Sequence, residues 1–239
     1  MRRRFVIVLA LVAVIGVALA FAGLRGKADD RRIGLFTSLP ILWSEAAELK
    51  GLLDPPAMPH WARSVLETNG KLVALDTLLE LQHVDLLVIA QPRPLLPEEN
   101  VALDDWVRKG GHVLLFADPM LTRESAFPLG DRRRPQDVVL LSPILARWGL
   151  QLRFDDAQPL GERESPGEDV PVNLPGTLAP IAGGHEASCV IGQALLVARC
   201  RIGKGRAIIV ADAALLEPNE DEDSRSSKLQ KLIGEAAGI

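Results

Sequence analysis

Four apolar runs in this chain end on polar residues placed where a reactive group would sit. IGLF ends at Thr37-Ser38, DLLVIA at Gln91-Pro92, HVLLFA at Asp118-Pro119, and AIIVA at Asp212. In open α/β sheets a ligand lies beyond the carboxyl ends of the strands. Ser38, Gln91, Asp118 and Asp212 are therefore the ligand-binding candidates. Two of them are carboxylates, and paired carboxylates do hydrolytic acid–base work at separations of roughly 5–9.5 Å. Asp118 and Asp212, with Ser38 as a hydroxyl, thus describe a hydrolase. The competing account is structural. An Asp-Pro after a strand forms a turn in which the carboxylate accepts nearby backbone N–H groups. Asp212 reads the same way, as does Ser38 ahead of Leu39-Pro40.

Other reactive types lack the required surroundings. A nucleophile elbow needs small residues around a Ser or Cys on a strained turn. Phe116-Ala117-Asp118-Pro119-Met120 has neither nucleophile, so no catalytic residue is assigned. His60, His83, His112 and His185 are scattered, with no H-x-x-x-H pair, and two cysteines without such a histidine make no zinc site. Gly203-Lys204-Gly205 is too short for a phosphate loop and runs into a strand where a helix is needed. It reads as a three-residue hairpin connection. Arg132-Arg133-Arg134 is a small solvated basic patch. No metal and no cofactor is assigned. Cys189 and Cys200 are either a disulfide or two small buried hydrophobes, with Cys200 alternating inward between Arg199 and Arg201.

The elements that would position these groups follow from periodicity. Ile33–Phe36 is a first short strand. Helices are expected over Trp43–Leu53, broken by Asp54-Pro55-Pro56, and over Trp61–Thr68, stopped by Asn69-Gly70. Leu72–Ala74 is a short strand and Leu78–Leu81 a helical turn. Asp85–Ala90 is a near-continuous apolar strand, the kind buried on both faces of a parallel sheet. Pro97 fits a first helical position, Glu98 and Glu99 complement the positive helix start, and Leu103, Trp106 and Val107 form the buried stripe. Gly110-Gly111 stop that helix before the strand His112–Ala117, which completes a βαβ unit. Ser142–Trp148 is a helix and Leu150–Phe154 a strand. Asp155–Gly176 is a Pro-, Gly- and acid-rich surface excursion. Strands at 187–191, 194–202 and 206–211 precede a closing helix over Ser226–Ala236, and the last two strands pair antiparallel. The body, 33–239, reads as one α/β domain with a mostly parallel sheet and a C-terminal antiparallel hairpin.

Ahead of it, Arg2-Arg3-Arg4 precede Phe5–Leu24, twenty residues without a charge, thirteen of them Phe, Val, Ile or Leu. Their insertion is favourable by roughly 5 kcal/mol, and the run is long enough to cross the hydrocarbon layer. A transmembrane anchor over 1–24 and a cleaved signal peptide both fit; the length favours the anchor. A linker over 25–32 follows. The expected location is single-pass in the inner membrane with the soluble body periplasmic. The chain carries a net charge of −4; setting aside the three leading arginines leaves −7. With aromatics at 4% and no tyrosine, this excludes a phosphate-backbone or base-stacking surface, so no nucleic-acid partner is expected.

The stretch LLVIAQPRPLLPEENVALDDWVRKGGHVLLFADPML, 86–121, resembles the central βαβ of the auxiliary domain of uncharacterised ABC-type transport systems, a group that includes the gliding-motility-associated GldG proteins. SPILARWGLQL at 142–152, GKGRAIIVADAALLEP at 203–218 and TSLPILW at 37–43 extend the likeness over most of 33–239. The resemblance implies a flavodoxin-like, class I glutamine-amidotransferase-like fold without the amidotransferase cysteine. It also implies a membrane-tethered, non-enzymatic domain that works with an ABC permease and ATPase. Many members carry a second transmembrane helix near the C-terminus, whereas an amphipathic helix stands there in this chain. The alternatives are the Asp118/Asp212 hydrolase and a stand-alone small-molecule binding module.

Overall fold

A computed structural model describes residues 31–45 and 59–238. Seven strands form the main sheet: β1 (Arg32–Thr37), β2 (Lys71–Ala74), β3 (Leu86–Ala90), β4 (His112–Phe116), β9 (Ala187–Ile191), β10 (Val197–Ile202) and β11 (Gly205–Val210). Their order is β2-β1-β3-β4-β11-β10-β9. The first five are parallel and the last two antiparallel to their neighbours. The parallel strands thus follow the 2-1-3-4-5 doubly wound order, whose direction switches between β1 and β3. Two small antiparallel pairs, β5 (Leu150–Arg153) with β8 (Thr177–Pro180) and β6 (Arg163–Glu164) with β7 (Pro171–Val172), lie outside this sheet.

The interior strands are apolar because both faces are covered. All five residues of β3 are buried, and Leu86, Leu87, Val88 and Ile89 are at most 1% exposed. Each such side chain contributes roughly 1.5–3 kcal/mol gross before chain entropy is subtracted. Helices α1 (Trp61–Asn69) and α4 (Glu222–Ala237) touch one another, and α2 (Pro97–Arg108) touches α3 (Ser142–Arg147). Adjacent residues of β11 show that these pairs cover opposite faces. A Cβ on Gly205 would lie 2.0 Å from the Val107 carbonyl oxygen in α2, whereas Arg206 reaches the Glu235 carbonyl in α4 at 3.4 Å. Successive strand residues point to opposite sides.

Several expectations change. Trp43–Glu45 are not helical, and the remainder of the helix expected over Trp43–Leu53 falls outside the described residues. The same is true of the whole Phe5–Leu24 run. Among the described residues no helix is long and apolar enough to cross a membrane. Leu78–Leu81 forms bends held by Glu99 rather than a helical turn. The strand at 150 leaves the main sheet for β8, and the 155–176 excursion folds back as β6–β7 with Val170 and Val172 in the core. The β10–β11 turn has two residues, Gly203-Lys204, because Ile202 already pairs with Gly205. Helix α4 begins at Glu222, four residues before the expected Ser226, where the Asp221 side chain accepts from the Ser224 N–H.

Two polar nodes fasten α2. Glu99 accepts from the Leu96 N–H (3.0 Å), the Leu78 N–H (3.2 Å) and the Thr77 hydroxyl (3.0 Å), and pairs with Arg93 (2.7 Å). The Arg93 guanidinium holds the Glu99 carboxyl down at about 2. Asp104 accepts from Arg108, Arg147 and the indole N–H of Trp148, tying α2 to α3. At the antiparallel edge Cys189 stands opposite Cys200 and the two are disulfide-bonded, with Cα atoms 4.0 Å apart.

Candidate functional site

Ser38 follows β1, Gln91 follows β3, Asp118 lies two residues after β4, and Asp212 two residues after β11. Parallel register brings all four strand ends to one edge, and neighbouring order places them side by side. The crevice at the β1/β3 switch is laced shut. Thr37 donates its hydroxyl to the Ala90 carbonyl (2.7 Å), and Ser38 donates its own to the Gln91 carbonyl. The Ser38 oxygen in turn accepts from the Gln136 N–H at 3.0 Å.

Gln91 is the centre of this corner. It is 0% exposed and holds a left-handed backbone, φ 44°. A non-glycine residue keeps that conformation only where its surroundings compensate the strain. Its side-chain oxygen accepts from the Asp118 N–H (2.9 Å), and its amide donates to the carbonyls of Asp118 (3.0 Å) and Gln136 (2.7 Å). One acceptor oxygen and two amide protons are thereby used.

The carboxylates are similarly occupied. Asp118 accepts from the Met120 N–H (2.8 Å) on Oδ1 and the Ala213 N–H (3.1 Å) on Oδ2. Asp212 accepts from the Ala214 N–H (2.5 Å) on Oδ1 and the Asn173 N–H (3.0 Å) on Oδ2. Both side chains are 1% exposed. Burial pushes Asp118 up to about 7, and burial together with the Asp118 charge raises Asp212 well above the carboxylate range. Burial also raises Glu217, whose Oε1 is 3.5 Å from the Thr122 hydroxyl. A carboxyl poised near neutrality suits proton transfer only if substrate reaches it. Here each oxygen faces a backbone donor and none opens to solvent. The arrangement fastens the loops after β4 and β11, with Asn173, into one closed corner.

Open space lies elsewhere on the same edge. A cleft of about 500 Å³ is lined by Asp155, Gln158, Arg163, Ser165, Thr177 and Gln193 over an apolar floor that includes Val172 and Leu196. It is anchored to the sheet where the Gly176 N–H donates to the Ala211 carbonyl at 2.7 Å. Its volume falls in the range of small-molecule sites. None of Ser38, Gln91, Asp118 or Asp212 lines it. The sequence signal for it was the length and composition of the 155–176 segment, since long irregular loops in compact domains often carry binding surfaces. His60 acts locally: its Nδ1 accepts from the Ala62 N–H (3.2 Å) at the start of α1, and burial lowers it to about 4. Among the described residues no group of three or more His, Cys, Asp or Glu is arranged to hold a metal ion.

Residues 66–159 match the family model described as an ABC-type uncharacterized transport system. No curated protein matches the chain. Among solved structures the chain is similar to the exo-β-1,4-mannosidase Op5Man5 from an Opitutaceae bacterium, at 16% identity and TM-score 0.49, over 92% of this chain and 38% of that one. It is similar to a β-galactosidase from Bacillus circulans at 11% identity and TM-score 0.46, over 88% of this chain and 32% of that one. A ThuA-like protein from Bacteroides uniformis aligns at 10% identity and TM-score 0.45, over 87% and 92% of the two chains. The chain therefore spans only about a third of the length of those two glycosidases.

Proposed function

We propose, from the match of residues 66–159 to an ABC-type transport-system family, that this protein is a membrane-tethered, non-enzymatic accessory domain of such a system. The matched stretch holds β2 through β5, with Gln91 and Asp118 inside it. In this reading the Phe5–Leu24 run is the tether and the body, amidotransferase-like in fold, lies on the periplasmic side of the inner membrane. The body contacts the permease and ATPase assembly or an exported ligand, and the 500 Å³ cleft is its ligand surface. Support for a non-catalytic role comes from the strand-end corner, where buried backbone donors engage both oxygens of Asp118 and of Asp212. Affinity purification of the tagged full chain from solubilised membranes tests the proposal. Co-recovery of a permease and an ATPase subunit is the expected result; repeated recovery of the chain alone after cross-linking refutes it.

One observation favours the hydrolase: Asp118 sits near neutrality beside a second raised carboxyl. Hydrolytic turnover by the purified chain that disappears in a folded Asp118→Asn variant would establish that reading.

A further inference from the structure

Cations gather at the edge of the sheet opposite the closed corner. Arg32 opens β1 beside Lys71 in β2, and Lys109 follows α2. Lys204 sits in the β10–β11 turn, its N–H donating to the Arg108 carbonyl at 3.0 Å, while Arg201 and Arg206 face one another across that hairpin. All six are exposed. The acids among them are few: Asp85, accepting from the Arg32 N–H; Asp105, 3.8 Å from Lys109; and Glu186, 3.8 Å from Arg108. The opposite edge carries exposed Asp155, Asp156, Glu162, Glu220 and Asp221 against exposed Arg132 and Arg133, the latter paired with Asp131 at 2.7 Å. A body that is acidic overall is therefore electrically lopsided along its strand axis.

The cationic edge continues into an open groove of about 900 Å³ on the face of β9–β11 that α4 leaves uncovered. Arg199, Arg201, Lys204 and Arg206 line it with Glu235, and Arg199 is paired with Glu235 at 2.8 Å and Glu168 at 3.3 Å. The chain also enters here. The Arg31 carbonyl oxygen accepts from the Lys71 N–H at 2.7 Å, immediately before β1. Seven residues, 25–31, separate it from the end of the apolar run, and seven residues reach at most about 25 Å. Arg25, Lys27 and Arg31 lie in that link with Asp29 and Asp30, for a net charge of +1.

The geometry points to a membrane-apposed face: this edge and its groove bind anionic phospholipid headgroups, and the 500 Å³ cleft is held facing away from the bilayer. The inference rests on the tether proposed above. Charge complementarity and the short link select the occupant. The link holds this edge near the bilayer, the cations match its phosphates, and the acids of the opposite edge are repelled from an anionic surface within the screening length of roughly 8 Å.

The full chain, reconstituted into lipid nanodiscs, tests this. A fluorophore is placed at His83→Cys, on the cationic edge, or at Glu220→Cys, on the acidic edge, and quenched by a lipid-borne nitroxide. Quenching at 83 is expected to be several-fold stronger in discs containing phosphatidylglycerol than in purely zwitterionic discs, and stronger than at 220. The triple variant Lys71→Glu, Lys109→Glu, Lys204→Glu abolishes the difference, whereas Arg132→Glu, on the far edge, preserves it. Should the triple variant not fold, salt at about 1 M, where the screening length is roughly 3 Å, removes the effect from the unmodified chain. Equal quenching at 83 in both lipids, or stronger quenching at 220, overturns the orientation. Release of the chain by an alkaline carbonate wash overturns the tether itself, separately from the orientation.

Discussion

Asp118→Asn separates the structural from the catalytic account of the closed corner through the pH dependence of stability. In the folded chain burial lifts the Asp118 carboxyl from 3.8 to about 7. Between those values the native state keeps a proton that the unfolded state releases. Stability must therefore fall as pH rises through that window. The full difference corresponds to about 4 kcal/mol. Asp212, raised for the same reason, adds a contribution of the same sign. His60 opposes both: lowered from 6.5 to about 4 by burial, it makes stability rise with pH between those values. The His60 contribution remains in the variant and cancels in the comparison, whereas Asp212 loses the part of its rise that comes from the Asp118 charge, which makes the variant's stability fall less with pH and widens the difference. The asparagine keeps one acceptor but turns an amide N–H₂ toward the Met120 or Ala213 N–H, which costs about 1–3 kcal/mol. The variant should be the less stable protein near pH 4.5 and the more stable one above pH 7.5. The midpoint difference between the two should swing by roughly 8–16 °C for a domain of this size. Intrinsic tryptophan fluorescence on heating, in detergent and across that range, reads it directly. Parallel curves, a constant penalty at every pH, would show that Asp118 is ionised in the native protein and would refute the reasoning.

Gln91→Leu should lower stability by about 3 kcal/mol or more, because it leaves the Asp118 N–H and the carbonyls of Asp118 and Gln136 without partners; a drop in the thermal midpoint of several degrees checks it. Glu99→Gln removes the ion pair with Arg93 and should cost about 1.5–3 kcal/mol at neutral pH. Since the Glu99 carboxyl is held at about 2, its contribution is present above 4.5 and lost as pH falls toward 2, so acid titration of the variant should show a shallower loss there. Gly205→Ala should prevent folding or cost more than about 3 kcal/mol, because the added methyl meets the Val107 and Gly111 carbonyl oxygens at 2.0 and 2.3 Å; soluble yield and urea midpoint report it. Cys189→Ser with Cys200→Ser opens a loop with a sequence separation of 11, for which the chain-entropy contribution is about 3 kcal/mol. Its midpoint under oxidising conditions should match that of the reduced parent.

The strands were readable because their signal is local. The LLVIA run is apolar at every position, and a strand buried on both faces requires that. The Gly110-Gly111 stop and Pro97 start bracketed α2 for equally local reasons. Elements whose state depends on distant partners were harder to place. Leu150–Arg153 has a strand pattern, but pattern does not say which sheet it joins, and β8 outcompeted the main sheet. The bends at Leu78 exist because Glu99, twenty-one residues on, accepts their N–H. The two-residue turn at Gly203-Lys204 was missed by one position because register decides where a hairpin turn ends.

The same division runs through the site. Residue order alone placed Ser38, Gln91, Asp118 and Asp212 each after a strand, and so beyond a carboxyl end; the tertiary structure made those strands parallel neighbours and brought the four together. Residue order also determined the charge of the body and the greasy run ahead of it. Only the tertiary structure decided that this meeting is closed. The N–H groups of Ala213 and Asn173, remote in sequence from the carboxylates' own strand ends or reached only through a long excursion, arrive to occupy the oxygens. Hydrogen-bond satisfaction and solvent access are properties of chain segments brought together by packing, and no spacing rule along one strand encodes them.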